Sequence, residues 1–280
     1  MSTLRNQMLQ VMQQKNFSEN TIRTYIGCLG SMAKNLNKSP DLLTVSEINE
    51  YFLRSFVGKK LGGSAIRQTI GALKILYVYV LKRNWNKIDF PRPKAEKKYP
   101  NILSKEDVKS IINVTRNLKH KTLIMLAYSS GLRLGELLNL RLEDIDSKRM
   151  QILVKQAKGH KDRNVILSPL ILTQLRIYWK EYQPVNYLFE GFSRNRKYSY
   201  RSAQNIIKRS VQLAGIKRKV TFHTLRHSFA THLVEDGVDV IIVQRLLGHT
   251  TLKTTSVYLH LQNYDISKVQ SPLDTLILQK

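Results

Sequence analysis

Residues 86–101 read NKIDFPRPKAEKKYPN, and this segment limits what the chain can fold into more than any other. It holds three prolines and five basic residues. Each proline removes a backbone donor and fixes φ, so neither a helix interior nor a central strand can run through it. Proline-rich chain of this kind is extended. The segment predicts a break between two separately packed regions, and 280 residues are enough for each to bury a core. The expected division is a domain over 1–87, a linker over 88–101 and a domain over 102–280.

Upstream of the break the apolar spacing is helical throughout. Ser18 caps a helix through Ile22, Tyr25, Ile26 and Leu29. Thr44 and Glu47 form a capping-box pattern ahead of Ile48, Tyr51 and Phe52. After a Gly62-Gly63 break, Ser64 starts a helix through Ile70, Leu73, Tyr77 and Leu81. The apolar run ILYVYVL at 75–81 is too short to span a bilayer and reads as a core helix. These elements predict a small helical bundle.

Downstream, Ser104 opens a helix, residues 120–129 form an apolar one that stops at Ser130-Gly131, and Leu134–Leu140 is a short one. The period then changes in RMQILVKQAKGHKDRNVILSP. Ile152 and Val154 alternate with polar residues, Lys158 to Asp162 supply a turn, and Val165 and Leu167 continue beyond it, a β-hairpin pattern. Pro169 begins another helix, and Ser199 caps Tyr200–Ala214. Thr221 caps Phe222–Glu235, Asp239 caps Val240–Leu247, and Gly248 closes the latter. The remainder is read as helical and contains Tyr258. The predicted class is mainly α with a small antiparallel β-sheet.

Charge narrows the function. Lys and Arg number 46 against 20 Asp and Glu, a formal net charge of +26. The excess is spread over both regions, with 17 basic and 6 acidic residues in 1–100 and 29 and 14 in 101–280. A globular chain this basic points to a polyanion, above all nucleic acid. The single cysteine, Cys28, allows neither an internal disulfide nor a thiolate zinc site. The first twenty residues lack the apolar stretch of a signal peptide, so a cytoplasmic location and no membrane partner are expected.

Five short stretches carry groups able to do chemistry. In SSGLRLGELLNL, Arg133 follows a glycine at the end of a buried helix, with Glu136 placed to orient it; a plain helix-end ion pair fits the same residues. In QAKGHKDRNVIL, Lys158 stands at the hairpin tip with Lys161 and Arg163 beside it, all read as solvent-facing cations. FHTLRHSFATHL brings His223 and Arg226 to one helix face. His223 and His227 have the i,i+4 spacing of zinc ligands, but HTLRH lacks the glutamate of HExxH and puts an arginine inside the turn, so no metal is expected and His227 and His232 read as packing or capping residues. His249 follows the glycine that closes a helix, and Tyr258 comes nine residues later. Two arginines, two histidines, a lysine and a tyrosine suit one reaction without a cofactor. Fixed guanidiniums offset the charge that grows on a phosphodiester, a phenol attacks, and a lysine protonates the leaving alkoxide.

The pieces GLRLGELLNL, AKGHKDR, HTLRHSFATHLVEDGVD and VQRLLGHTTLKTTSVYLH, in that order, resemble the tyrosine recombinases of the phage-integrase and Xer type. The N-terminal NFSENTIRTYIGCLGSMAKNL and GSAIRQTIGALKILYVYVL look like that family's core-binding domain. The resemblance implies a helical, SAM-like core-binding domain followed by an α+β catalytic domain. It implies Tyr258 as the nucleophile that forms a 3′-phosphotyrosyl ester, and Arg133 and Arg226 as phosphate ligands. Lys158 is implied as the acid toward the leaving 5′ oxygen, His223 as an aid to proton transfer, His249 as a phosphate hydrogen-bond partner, and Glu136 and His227 as supporting residues. The partners implied are double-stranded DNA recombination sites, engaged by a homotetramer on two sites or a mixed tetramer with a related recombinase, with stepwise strand exchange through a Holliday junction and a place on the bacterial nucleoid. A non-cutting DNA-binding accessory protein and a type IB topoisomerase are the rival readings.

Leu273, Leu276 and Ile277 make an apolar stripe in the tail, which in the family often docks on the neighbouring subunit. Deleting residues 271–280 should leave binding to one DNA site intact in a gel-shift assay and impair synapsis of two. Undiminished recombination by the truncated chain would remove the docking idea.

Overall fold

The computed structural model describes residues 2–58, 61–84, 100–157, 161–193 and 195–259. The chain divides into two compact units, Met1–Lys98 and Tyr99–Lys280. The expected linker lies almost wholly outside the described residues, as do Lys158 and the tail beyond Leu259. The fold has the expected class, mainly helical with one small antiparallel sheet. No helix among the described residues is long and apolar enough to cross a membrane.

The first unit holds α1 (Ser2–Gln14), α2 (Glu19–Leu36), α3 (Val45–Val57) and α4 (Gly63–Lys74). Caps start them where local chemistry directs. The Ser18 hydroxyl accepts from Thr21 N–H at 3.2 Å, and Thr44 and Glu47 cap each other reciprocally. Two details differ from the sequence reading. Helix α4 begins at Gly63 with Gly62 at the cap position, not at Ser64. Ile75–Val80 is a π-helical turn, not α-helix. The Tyr77 hydroxyl, which donates to Pro40 O at 3.1 Å and Leu43 O at 3.0 Å, anchors that turn. Met12, Met32, Ile48, Phe52, Ile66, Leu73 and Leu76 fill the core of this unit.

The second unit begins with α5 (Lys105–Val114), α6 (Leu118–Ser130) and α7 (Leu134–Asn139). A sheet follows, with strands β1 (Ile145–Asp146), β2 (Gln151–Ala157) and β3 (Lys161–Ile166) in that order and all antiparallel. Strand β1, two residues long, carried no usable alternation in the sequence. Lys161 and Asp162 belong to β3 rather than to the turn, because pairing resumes at Ala157–Lys161 after an irregularity in register. The buried Ile152 faces Val165 across the ladder. Then come α8 (Pro169–Tyr182), α9 (Tyr200–Leu213), α10 (Phe222–Glu235), α11 (Val240–Leu247) and α12 (Leu252–Leu259). Helix α10 is buried on nearly every side, and α6, α11 and α12 all pack against it. That explains its weak amphipathic pattern, since a helix covered all round has no face to leave polar.

One glycine decides how α6 hands over to α7. Gly131 ends α6 in the left-handed region (φ 59°), and a Cβ there would run into the Phe229 ring of α10. Gly131→Ala is therefore expected to lower stability by about 2–4 kcal/mol. Gly135→Ala, in open space inside α7, should be neutral or mildly stabilising. Urea unfolding of the two variants tests the contrast, and equal midpoints would refute it.

Candidate active site

The site grows from the turn that Gly131 makes. Arg133 precedes α7 in extended conformation, and its backbone N–H donates to Glu136 Oε2 at 2.9 Å. Its Nη1 donates to Glu136 Oε1 at 2.7 Å. From β3, Arg163 reaches the same carboxylate with both Nη atoms, at 3.0 and 2.7 Å, and its Nε donates to Leu246 O at 2.9 Å. From α10, Arg226 stands 3.8 Å from Glu136 Oε2. One carboxylate thus gathers guanidiniums from three elements.

Arg226 is 1% exposed. Its Nη1 donates to Gly131 O at 2.7 Å and its Nη2 to Leu247 O at 2.5 Å, so the carbonyls ending α6 and α11 hold it. Nη2 also lies 3.2 Å from His249 Nε2, and His249 Nδ1 lies 3.0 Å from Thr255 Oγ1. The Tyr258 hydroxyl is 2.8 Å from His227 Nδ1, and its ring lies nearly parallel to that of His249, at 13°. His223 packs edge-on against His227, centroids 4.2 Å apart. Arg133 and His223 line an open concavity of about 960 Å³ that also reaches Tyr200 and Gln204 on α9. Arg226, His249 and Tyr258 do not line it. The cluster therefore has an open half and a covered half.

The phage integrase family pattern matches residues 101–264, and that of the phage integrase N-terminal SAM-like domain matches residues 4–87. The chain belongs to the phage integrase family. It is a tyrosine-type site-specific recombinase, an enzyme that cleaves and rejoins DNA by transesterification. "Putative integrase/recombinase y4qK" of Sinorhizobium fredii is 37% identical over 277 residues, covering 99% of this chain and 90% of that protein. "Tyrosine recombinase XerA" of Pyrococcus furiosus is 34% identical over 265 residues, covering 91% and 90%. The crystal structure of a lambda integrase dimer bound to a core site shares the fold, with a TM-score of 0.77 at 16% identity over 96% of this chain and 99% of that one.

Within this phage-integrase cluster, electrostatics follow from burial and from the arginines. Burial alone would raise the Glu136 carboxyl, but hydrogen bonds and charge from Arg163, joined by those from Arg133, outweigh it and hold the carboxyl at about 2. Burial, then the Arg133 charge, pulls the Arg226 guanidinium down to about 9, so it stays charged at neutral pH. Burial with His223 and Arg226 brings His227 to about 4, and burial with Arg226 and Arg133 brings His249 to about 4. Both rings are neutral at pH 7. His223 is lowered by burial and the same two arginines even though its outer edge is open to solvent. Burial raises the Tyr258 phenol, and Arg226 and Arg133 oppose that rise.

Arg133, Glu136, His223, Arg226, His227, His249 and Tyr258 are therefore brought together. Lys158 lies outside the described residues. Two corrections emerge. Arg163 is no solvated cation of the hairpin tip; its side chain is 9% exposed and braces Glu136. Its place was readable, because Arg163 and Val165 on β3 and Leu167 just beyond it alternate with exposed residues. His227 is more than a packing residue, because it, and not His223, touches the Tyr258 hydroxyl. His232 does pack, at 6% exposure, with Nδ1 2.8 Å from the Tyr128 hydroxyl. Thr255 was not singled out, and a threonine three residues before a tyrosine carries no signal by itself. Among the described residues no group of three or more His, Cys, Asp or Glu side chains is placed to hold a metal ion.

Glu136 has a folded pKa near 2 against 4.5 for the free side chain. Its stabilisation is complete above pH 4.5 and is lost as pH falls toward 2, a swing of about 3 kcal/mol. Glu136→Gln should remove that acid-side loss, and Glu136→Ala should cost about 3–5 kcal/mol at pH 7 by stranding buried guanidiniums. Unfolding free energies across pH 2–7 check both; the same acid-side slope in Glu136→Gln would refute the assignment.

Proposed function

We propose that this recombinase cuts DNA at recombination sites through Tyr258, forming a 3′-phosphotyrosyl ester and a free 5′ hydroxyl. The observation that carries this reading is the 2.8 Å contact between the Tyr258 hydroxyl and His227 Nδ1, beside the doubly anchored Arg226. A phenol with an ordinary pKa near 10 needs a proton acceptor to attack at neutral pH. His227 is neutral there and sits at hydrogen-bond distance. In the step, the Tyr258 oxygen bonds to phosphorus, its proton passes to His227, the P–O5′ bond breaks, and Lys158 gives a proton to the departing O5′. Reversal with a different 5′ hydroxyl rejoins the strand, and since one phosphodiester replaces another no nucleotide cofactor is consumed.

Arg133 and Arg226 hold the scissile phosphate, with His249 as a further donor. Charge-assisted guanidinium bonds to the phosphate tighten as negative charge builds on its oxygens. His223, on the open rim, relays protons through His227, against which it packs. Entry of the phosphate requires movement of α12, because Arg226 and Tyr258 are covered, at 1% and 2% exposure. The helical bundle over 1–87 also binds the duplex, and the linker over 88–101 leads to the catalytic domain over 102–280. A homotetramer on two sites, or a mixed tetramer with a related recombinase, exchanges strands one pair at a time through a Holliday junction. The solved XerH recombinase was crystallised on its difH substrate before and after cleavage, which supports double-stranded DNA sites as the partner.

A nicked suicide duplex carrying the protein's native recombination site should trap a covalent adduct. Tyr258→Phe should bind that duplex and form none. His227→Ala should keep binding while slowing adduct formation about 100-fold or more. An adduct persisting in Tyr258→Phe would sink the assignment of the nucleophile; an unslowed His227→Ala would sink only that of its proton acceptor.

A further inference from the structure

Thr255 lies on α12 three residues before Tyr258, so the two share a helix face, and its side chain is fully buried at 0% exposure. Its Oγ1 is 3.0 Å from His249 Nδ1. The other ring nitrogen, Nε2, is 3.2 Å from Arg226 Nη2. A guanidinium only donates, so Nε2 is the acceptor in that pair. His249 is neutral at pH 7, which puts its one proton on Nδ1, donated to Thr255 Oγ1. The buried Thr255 hydroxyl proton then has no acceptor among the described residues.

A bound phosphate reverses these demands. Diester oxygens only accept, so His249 must donate to them from Nε2, which leaves a lone pair on Nδ1. A hydroxyl can turn from acceptor to donor by rotating about one bond. Thr255 then donates to Nδ1, and the stranded proton of the free state is satisfied.

We propose that Thr255 is a positioning residue that lets His249 exchange tautomers when the scissile phosphate binds, so that seating of the nucleophile helix and the phosphate hydrogen bond are linked. The link is geometric. Thr255 and Tyr258 move together on α12, and both contact the ring of His249. If α12 shifts without the switch, Nε2 has no proton to offer. If the phosphate binds without Thr255 in place, Nδ1 has no donor. The inference rests on the roles given above to Tyr258 and His249.

Nitrogen NMR of the full chain with labelled imidazoles reads the tautomer directly, with the His249 signals identified by His249→Gln. Free protein should carry the proton on Nδ1. Tyr258→Phe protein bound to the site-bearing duplex should carry it on Nε2. Thr255→Ser should switch as the parent does, and Thr255→Val should not. With Tyr258 present, Thr255→Val should form adduct about 10- to 100-fold more slowly at unchanged DNA affinity, as when a partner orienting a functional imidazole is removed, and Thr255→Ser should restore the rate. The same protonated nitrogen in the free protein and in the DNA-bound Tyr258→Phe protein would overturn the proposal without any change at Thr255. So would a Thr255→Val protein that cleaves at the parent rate. A parent protein that forms no adduct would instead strike the Tyr258 reading, while the free-state tautomer is read without cleavage.

Discussion

The Glu136 carboxylate is the contact on which the rest of the site depends. Three guanidiniums converge on it, from the start of α7, from β3 and from α10. Two unit charges a few ångströms apart repel by about 4 kcal/mol at the effective dielectric of a protein. Without a counter-charge, Arg226 could not remain at 1% exposure beside Arg133 and Arg163. Glu136 is placed by backbone as much as by charge, since it accepts the Arg133 N–H at the first turn of α7. A capping interaction, which any short helix can use, here doubles as the fixture of a phosphate-sized charge cluster.

Three guanidiniums and one carboxylate leave a local charge of +2. A phosphodiester brings one negative charge and gains a second on its oxygens as attack proceeds. On the proposed assignment of the scissile phosphate to Arg133 and Arg226, the cluster balances the transition state rather than the ground state, the condition for an interaction to speed chemistry instead of only tightening binding. Arg163 enters this balance without facing the open concavity. It pairs with Glu136 without lining the concavity, which Arg133 does line.

What was legible in the sequence and what was not divide along physical lines. Caps are local chemistry, and Ser18, Ser104, Thr221 and Asp239 all start helices where a side-chain oxygen meets a backbone N–H a few residues on. The left-handed ends at Gly131 and Gly248 were equally plain. The π turn at Ile75–Val80 was hidden because its apolar spacing is that of an α-helix, and the hydroxyl of Tyr77 finds its acceptors 34 and 37 residues away. Strand β1 was hidden by its length. In the site, the family resemblance carried residue names and the Arg133–Glu136 pair was local enough to read, but other pairings are long-range and had no local trace. His227 meets Tyr258 across 31 residues, and Arg163 meets Glu136 across 27. The one missed feature that did leave a mark was the inward alternation of Arg163 with Val165 and Leu167, outweighed by the basic run around it.

The covered state of Tyr258 sets a condition on the order of events. Its seat consists of one hydrogen bond to His227, ring contact with His249 and burial among Phe229, Val243 and Leu247. A neutral hydrogen bond contributes only about 1 kcal/mol net, whereas one to a charged group contributes roughly 1.5–3 kcal/mol. The two Nη atoms of Arg226 donate to two carbonyls and a neutral imidazole, all weaker acceptors than a phosphate oxygen, and its buried Nε has no partner among the described residues. On the proposed assignment an arriving phosphate can compete for these donors at a net gain, and two of the three partners, Leu247 O at the end of α11 and His249 beside it, lie just before α12. On the proposed assignment, the shift of α12 and the capture of the phosphate are therefore one event, with Thr255 still against His249, and the Tyr258 phenol stays covered in the protein without DNA.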